Sequence, residues 1–251
     1  CGGAALPDEV YDYYLEQEVP LLQGYGLTET SPVVSLSTLT QYRRGSIGRA
    51  LPGVEVRLAD DGEILTRGPH VMQGYHHRED ETQAVLRDGW FHTGDLGRQD
   101  RDGYLYITGR KRELIVTAGG KNIIPSYLER LLEADPLIQQ AFVMGDSRDY
   151  LAALIVPDFA RLREMAEAAG GVASEEPEAP PANAEILRRF ESRIAERLSE
   201  VSSHEQVRRF RLLPRPFSVE DGEVTTKGSL RRAVIEERYD GLIASMYRAG
   251  S

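Results

Sequence analysis

Cysteine is nearly absent: Cys1 is the only one in 251 residues. That excludes an internal disulfide framework and any zinc site built from several cysteines. A reduced, cytoplasmic setting is the expectation. Long apolar runs are missing too, with no stretch of 18 apolar residues, so no spanning helix is expected. No basic stretch leads into an apolar run with a cleavage site, so no secretory signal is read. Positive charge is in deficit: 30 Lys+Arg stand against 40 Asp+Glu, a formal net charge of −10. Repulsion from phosphates then disfavours general nucleic-acid binding. No basic amphipathic helix offers a membrane handle, and peripheral membrane contact stays open. No Gly-x-Gly-x-x-Gly follows a strand, which weighs against a dinucleotide oxidoreductase.

What is present can fold. Hydrophobic residues make up 41% and charged residues 28%, enough for a packed core. The length suits one large domain or two modest ones. The stretch Cys1 to Leu6 reads as the interior of a longer chain whose amino-terminal part is missing; a processed start is the alternative.

The pattern along the chain changes once. Val10, Tyr13, Tyr14 and Leu15 predict a short helix over 8–19, bounded by Pro7 and Pro20. Residues 21–23 predict a strand entering the Gly24-Tyr25-Gly26 turn. Val54, Val56 and Leu58 alternate with polar residues, and Asp61-Gly62 turns the chain into 63–66, a hairpin. Asp102-Gly103 and 104–108 predict another, so 50–110 reads as a mostly β, barrel-like subdomain. After Gly109, strands and helices alternate, which predicts a separate α+β domain. Ser126 with Glu129 reads as a capping box opening a helix. Apolar β-rich runs occupy 138–144 and 150–156, a helix is expected at 160–169, and 171–182 reads as a solvated insertion. Leu187, Phe190, Ile194, Leu198 and Val201 predict an amphipathic helix. A strand is expected at 207–213, and a last helix capped by Ser229 runs to about Tyr239.

Four constellations have chemical potential. Gly24-Tyr25-Gly26-Leu27-Thr28-Glu29-Thr30-Ser31 joins two glycines, which let backbone approach a ligand closely, to hydroxyls that suit phosphate oxygens. Its single carboxylate suits Mg²⁺, which keeps waters and takes few protein ligands. A plain glycine turn is the alternative. Gly89 to Gly97 sets Asp95 between glycines, where a carboxylate can bind two vicinal ribose hydroxyls; a loop Asp making its own turn is the alternative. His92 beside it shows no acid or metal partner and reads as a packing histidine. Arg110-Lys111-Arg112 is either a solvated face or a phosphate or ribose contact at the domain junction. Thr225-Thr226-Lys227-Gly228-Ser229 carries a loop lysine able to neutralise developing phosphate charge, or simply an exposed one.

Their joint order is specific where each alone is not. Gly-Tyr-Gly-Leu-Thr-Glu-Thr (24–30), Gly-Glu-Ile-Leu-Thr-Arg-Gly-Pro (62–69), Met-Gln-Gly-Tyr (72–75), Gly-Trp-Phe-His-Thr-Gly-Asp (89–95) and Asp-Gly-Tyr-Leu-Tyr-Ile-Thr-Gly-Arg (102–110) follow one another nearly end to end. With the late lysine loop, the chain resembles the carboxy-terminal part of the adenylate-forming, AMP-binding superfamily. The stretch 109–125 looks most like the long-chain fatty acid CoA ligases.

The resemblance implies a fold of mixed α/β and α+β type. Residues 1–110 would end the large AMP-binding domain, 111–251 would form a small carboxy-terminal lid, and the hinge would lie near 110–112 at Arg112. It implies two half-reactions: a fatty acid carboxylate attacks the α-phosphate of MgATP to give acyl-AMP, and coenzyme A then displaces AMP. Gly3 and Ala4 would lie beside the adenine, with Gly24, Tyr25, Gly26 and Leu27 closing the other side. Thr28 would contact phosphate and Glu29 hold Mg²⁺. Asp95 would take the ribose hydroxyls, supported by Arg110. Lys227 would bridge carboxylate and phosphate, and Gly119, Gly120 and Lys121 would line the coenzyme A channel.

Two departures stand out. The family's phosphate loop and most of its acyl pocket belong upstream of Gly24, so the chain alone is expected to be inactive. The final loop, 225–232, puts Lys227 two residues early relative to Arg231 when compared with the Thr-Pro-Thr-x-Lys pattern of long-chain ligases. The competing readings are an enzyme adenylating another carboxylate or loading a carrier protein, and a non-catalytic nucleotide-binding remnant.

Overall fold

The computed structural model describes residues 1–3, 6, 8–168 and 184–248. Ala4 and the 171–182 insertion lie outside the described residues. The chain divides into two compact units, Cys1–Arg112 and Glu113–Ser251.

The first unit opens with helix α1, Asp8–Glu16. Strands β1 (Gly24–Tyr25), β2 (Ser35–Leu36) and β3 (Arg49–Ala50) then form a small antiparallel sheet with β2 in the middle. The strand expected at 21–23 therefore lies one step later, on the glycine itself.

A larger sheet follows from β4 (Glu55–Leu58), β5 (Glu63–Arg67), helix α2 (Glu79–Val85), β6 (Leu86–Arg87), β7 (Trp90–Gln99) and β8 (Leu105–Arg110). Asp61 accepts the Glu63 N–H at 3.1 Å, which makes the β4–β5 turn, as an Asp-Gly hairpin requires. β7 is the spine. β5 pairs along one edge; β6 and then β8 pair with successive parts of the other. The barrel-like closure expected for this region is not found: β4 pairs with β5 alone among the described strands, so the sheet stays open. β4 is four residues long and presents alternate residues to solvent, the pattern of an edge strand.

The second unit begins with a two-stranded ribbon, β9 (Ile115–Val116) and β10 (Asn122–Ile123), and helix α3 (Pro125–Glu133). A three-stranded sheet follows: β11 (Ile138–Met144) lies antiparallel to β12 (Leu151–Pro157), which runs parallel to β13 (Val207–Leu212). Helices α4 (Phe159–Ala168), α5 (Ala184–Arg197), α6 (Arg232–Arg238) and α7 (Asp240–Arg248) complete it.

Strand β12 explains the layering. Every residue in it is buried. Its side chains alternate between faces, and the two sets enter two different cores. Leu151, Ala153 and Ile155 pack with Leu128 and Leu132 of α3 and Phe190 and Ile194 of α5. Ala152, Leu154 and Val156 pack with Phe217, Val224, Ile235 and Met246. The sheet is thus covered on both faces, which is why 151–156 reads as a continuous apolar run.

Two expected caps are corrected. α3 starts at Pro125, whose fixed φ and missing N–H suit a first helical turn; Ser126 lies inside the helix, and Glu129 turns inward to Arg232. α6 starts at Arg232, while the Ser229 N–H is taken by the Thr225 hydroxyl at 3.1 Å. α7 was not expected from the sequence.

Candidate active site

In the first unit the stretch 24–31 carries most of the chemistry. Backbone crowding dictates Gly26: a Cβ there would lie 1.7 Å from the Pro32 carbonyl oxygen. Thr28–Thr30 form one 3₁₀ turn, fastened by the Leu27 N–H donating to the Thr30 hydroxyl at 2.8 Å. Thr30 is buried by that role, Thr28 is exposed and Glu29 is half-buried. The Glu29 carbonyl accepts the Met72 N–H at 2.8 Å, and its Oε1 accepts the Tyr75 hydroxyl at 2.8 Å. Burial and the Glu29 charge push the Tyr75 hydroxyl up to about 12, so it stays a donor.

Tyr25 reaches across to β7, where its hydroxyl donates to Asp95 Oδ2 at 2.7 Å. On the neighbouring strand Arg110 pairs in register with Asp95 and brings Nε within 3.2 Å of Oδ1. Asp95 is 4% exposed. Burial pushes its carboxyl up, and Tyr25 and Arg110 only partly offset that. Burial and the Asp95 charge likewise push the Tyr25 hydroxyl far up, fixing it as a donor. The Asp95 N–H donates to the Thr93 hydroxyl at 3.1 Å, which in turn donates to the Ile64 carbonyl at 2.7 Å. The alternative of a loop Asp making its own turn does not hold: Asp95 lies in a strand paired on both edges, so the carboxylate is aimed by a sheet.

A second buried carboxylate, Glu63, sits beside it on β5. It accepts the Gly94 N–H and the Lys111 ammonium, each at 2.9 Å, and lies 3.1 Å from His92 Nδ1. Burial works to raise its carboxyl, but Lys111, His92 and Gly94 prevail and hold it below the usual range. His92 therefore has an acid partner, which corrects its reading as a packing histidine; the partner is 29 residues away in sequence and no local spacing betrays it. Lys111 also pairs with Asp61 at 2.6 Å. Thr93, Gly94, Arg110, Lys111 and Arg112 line an open cavity of about 360 Å³.

In the second unit Lys227 sits at the tip of a tight loop. The Thr225 N–H donates to the Ser229 carbonyl at 2.8 Å, the Gly228 N–H returns to Thr225 at 2.9 Å, and Val224 bridges Leu230. Gly228 takes φ +85°, which a glycine adopts freely. Gly119, Gly120 and Lys121 form the exposed β9–β10 turn, closed by the Thr117 N–H on the Lys121 carbonyl at 3.1 Å.

Within the first unit the fold thus joins Tyr25, Asp95 and Arg110 directly, and it sets Glu29 four residues beyond Tyr25. Gly3 is exposed near β1, where the Gly24 N–H donates to the Cys1 carbonyl at 2.9 Å. Sequence reasoning missed Tyr75, Thr93 and Glu63. All three stand inside the quoted motifs, but nothing in those motifs says what they touch.

For magnesium, the donor set is one half-buried carboxylate, and no cluster of three His, Cys, Asp or Glu occurs among the described residues. That fits a hard cation completed by phosphate oxygens and waters. No helix among the described residues is long and apolar enough to cross a membrane.

A buried carboxylate aimed by a tyrosine and an arginine, with a glycine-threonine-glutamate turn beside it, defines a class that comparison makes explicit. The profile described as AMP-binding enzyme matches residues 1–76, and that of the AMP-binding enzyme C-terminal domain matches 112–251. The chain belongs to the AMP-binding enzyme family.

Among its relatives, the long-chain-fatty-acid–CoA ligase FadD15 of Mycobacterium bovis is 39% identical over 249 residues, covering 98% of this chain and 41% of that protein. The human long-chain-fatty-acid–CoA ligase ACSBG1 is 32% identical over 270 residues, covering 98% and 37%. Among solved structures, o-succinylbenzoate coenzyme A synthetase (MenE) of Bacillus subtilis in complex with ATP and magnesium ion superposes with a TM-score of 0.68 at 27% identity, over 92% of this chain and 44% of that one. The chain spans about two fifths of the length of the curated relatives it matches.

Proposed function

We propose that this chain supplies the carboxy-terminal part of an acyl-CoA synthetase that activates a long-chain fatty acid as acyl-AMP and transfers it to coenzyme A. The observation that carries this reading is Asp95: a buried carboxylate held by Tyr25 and Arg110, in a chain matched over 98% of its length by fatty-acid CoA ligases.

Each residue has a task its environment suits. Asp95 accepts the two ribose hydroxyls of the nucleotide, and Tyr25 and Arg110 keep its oxygens aimed. Gly24 to Leu27 line the adenine with Gly3, and Gly26 keeps the turn closed. Thr28, exposed at the start of the 3₁₀ turn, donates to phosphate. Glu29 is the residue that would hold Mg²⁺, and the ion would supply neutralisation of the phosphate charge. Attack of a carboxylate on a phosphate brings two anions together, and Lys227 offsets that charge in adenylation. Gly119, Gly120 and Lys121 line the path of the coenzyme A thiol in the second half-reaction. The boundary near 110–112 acts as the hinge at Arg112, so that Lys227 and the 119–121 turn serve in alternation. The family's phosphate loop and most of its acyl pocket belong upstream of Gly24, so the activity proposed is that of the full-length protein.

The test is ATP–pyrophosphate exchange, and thioester formation from ready-made acyl-AMP, in the full-length protein. Lys227→Ala is expected to lose the exchange and to keep the thioester step. Equal loss in both steps refutes the role of Lys227. Nucleotide binding without any exchange in the unmutated full-length protein refutes the enzyme reading in favour of a binding remnant. Exchange driven only by non-fatty carboxylates moves the substrate class.

A further inference from the structure

The tip of the lysine loop is closed by its own hydrogen bonds, from the Gly228 and Ser229 N–H groups to Thr225, and none of its side chains is buried. Thr226, Lys227, Gly228 and Ser229 are all exposed. What fixes the lysine must act through the two stems.

Both stems are fastened by ion pairs on buried carboxylates. On the entering side Glu223 is wholly buried. Arg215 grips it with two nitrogens, at 2.9 Å to each oxygen, Arg238 adds a contact at 3.1 Å, and the Ser218 N–H donates at 3.2 Å. Asp221 closes the ring, 3.1 Å from Arg215 and 2.9 Å from Arg238. The same residue carries the hairpin, because the Glu223 carbonyl accepts the Arg231 N–H at 2.7 Å. On the leaving side Arg232 pairs with Glu129 at 2.7 Å, donates to the Val143 carbonyl and lies 4.3 Å above the Phe142 ring. Val224, between Glu223 and the tip, is packed into the core with Phe142, Phe217 and Ile235.

A buried ion pair is a weak source of net stability, since desolvation cancels much of its attraction. Its geometry is exacting, however, and a bidentate arginine fixes direction as well as distance. The Glu223 and Glu129 pairs converge on the two stems of one five-residue loop. We infer that Glu223, with Arg215 and Arg238, is a positioning residue for Lys227: it sets where the ammonium stands when adenylation occurs. This rests on the role of Lys227 proposed above. A displacement of about 1 Å at such a group costs on the order of 100-fold in rate.

The experiment uses the full-length protein with Glu223→Gln, and with Arg238→Gln in case the first does not fold, since Arg238 is part-exposed. Pyrophosphate exchange is measured with a long-chain fatty acid and MgATP, and thioester formation with acyl-AMP and coenzyme A; Lys227→Ala runs alongside. The expected result is a loss of exchange of about 10- to 100-fold in both cluster variants with the thioester step kept. Unchanged exchange in a folded variant overturns the inference, as does an equal loss in both half-reactions, which marks a purely structural cluster. Should Lys227→Ala itself leave exchange intact, the reading of Lys227 has failed and the positioning role falls with it.

Discussion

At Asp95 the fold accepts a cost for a function. A carboxyl raised by burial binds its proton more tightly folded than unfolded, so its contribution to stability is present at acid pH and is lost as pH rises through the folded value. Asp95→Asn removes that cost. Its unfolding midpoint is expected to stand above that of the unmutated protein at about pH 7, and the difference to close as pH falls toward the ordinary carboxylate range near 4. Scanning calorimetry across that range checks it. The same variant is expected to weaken AMP binding by about 1.5–3 kcal/mol, the worth of hydrogen bonds to a charged group, read by titration calorimetry. Gly26 poses the opposite case. A methyl placed 1.7 Å from the Pro32 carbonyl forces the backbone apart, so Gly26→Ala is expected to lose about 1–3 kcal/mol in denaturant unfolding.

Elements divide into those legible from sequence and those that are not. The β4–β5 hairpin announces itself through alternation and Asp61-Gly62, and β11, β12 and β13 through apolar runs; these depend on local chemistry. β7 was legible only in part: the region reads as mostly β, yet its glycines and polar residues leave a loop as the alternative around Asp95, whereas pairing on both edges holds it extended. The start of α3 was misread because Glu129 serves a residue 103 positions away. The candidate site of the first unit splits the same way: Asp95 and Glu29 stand out as residue types in ordered motifs, while the contacts of Tyr75 and Glu63, His92 included, are products of tertiary pairing.

Helix anchoring in the second unit also makes an acid-labile element. Asp135, at the end of α3, holds Arg193 of α5 at 2.8 Å and accepts the Leu137 N–H at 2.9 Å. Burial acts to raise its carboxyl, and Arg193 with the Leu137 N–H more than reverses that; Glu223 is held low in the same manner by Arg215. Both folded values are depressed, so their stabilisation is present above the unfolded values near 4 and disappears as pH falls through the folded ones. The thermal midpoint is expected to drop steeply below about pH 4 and the drop to be shallower in Arg193→Ala, as followed by circular dichroism.

For the molecule as a whole, stability is unevenly spread. Both large hydrophobic clusters lie in the second unit, with β12 feeding each. The first unit has an open sheet and several exposed large apolar side chains, including Tyr13 at 60% and Leu39 at 65%. Native-state hydrogen exchange of this chain is expected to find its slowest amides in β11 and β12 and to find β1 to β3 exchanging sooner, because opening free energy follows buried apolar packing. Comparable protection in both units contradicts that account.

The stems of the Lys227 loop hold a last consequence, one for sequence drift. Since the four exposed residues at the tip, 226–229, bear no packing duty, their side chains can be rewritten, the glycine at φ +85° aside, while the anchored ends keep the turn in place. A basic side chain can then migrate along the tip over generations without any refolding of its surroundings. A lysine two places from its customary slot is the kind of change such an arrangement tolerates.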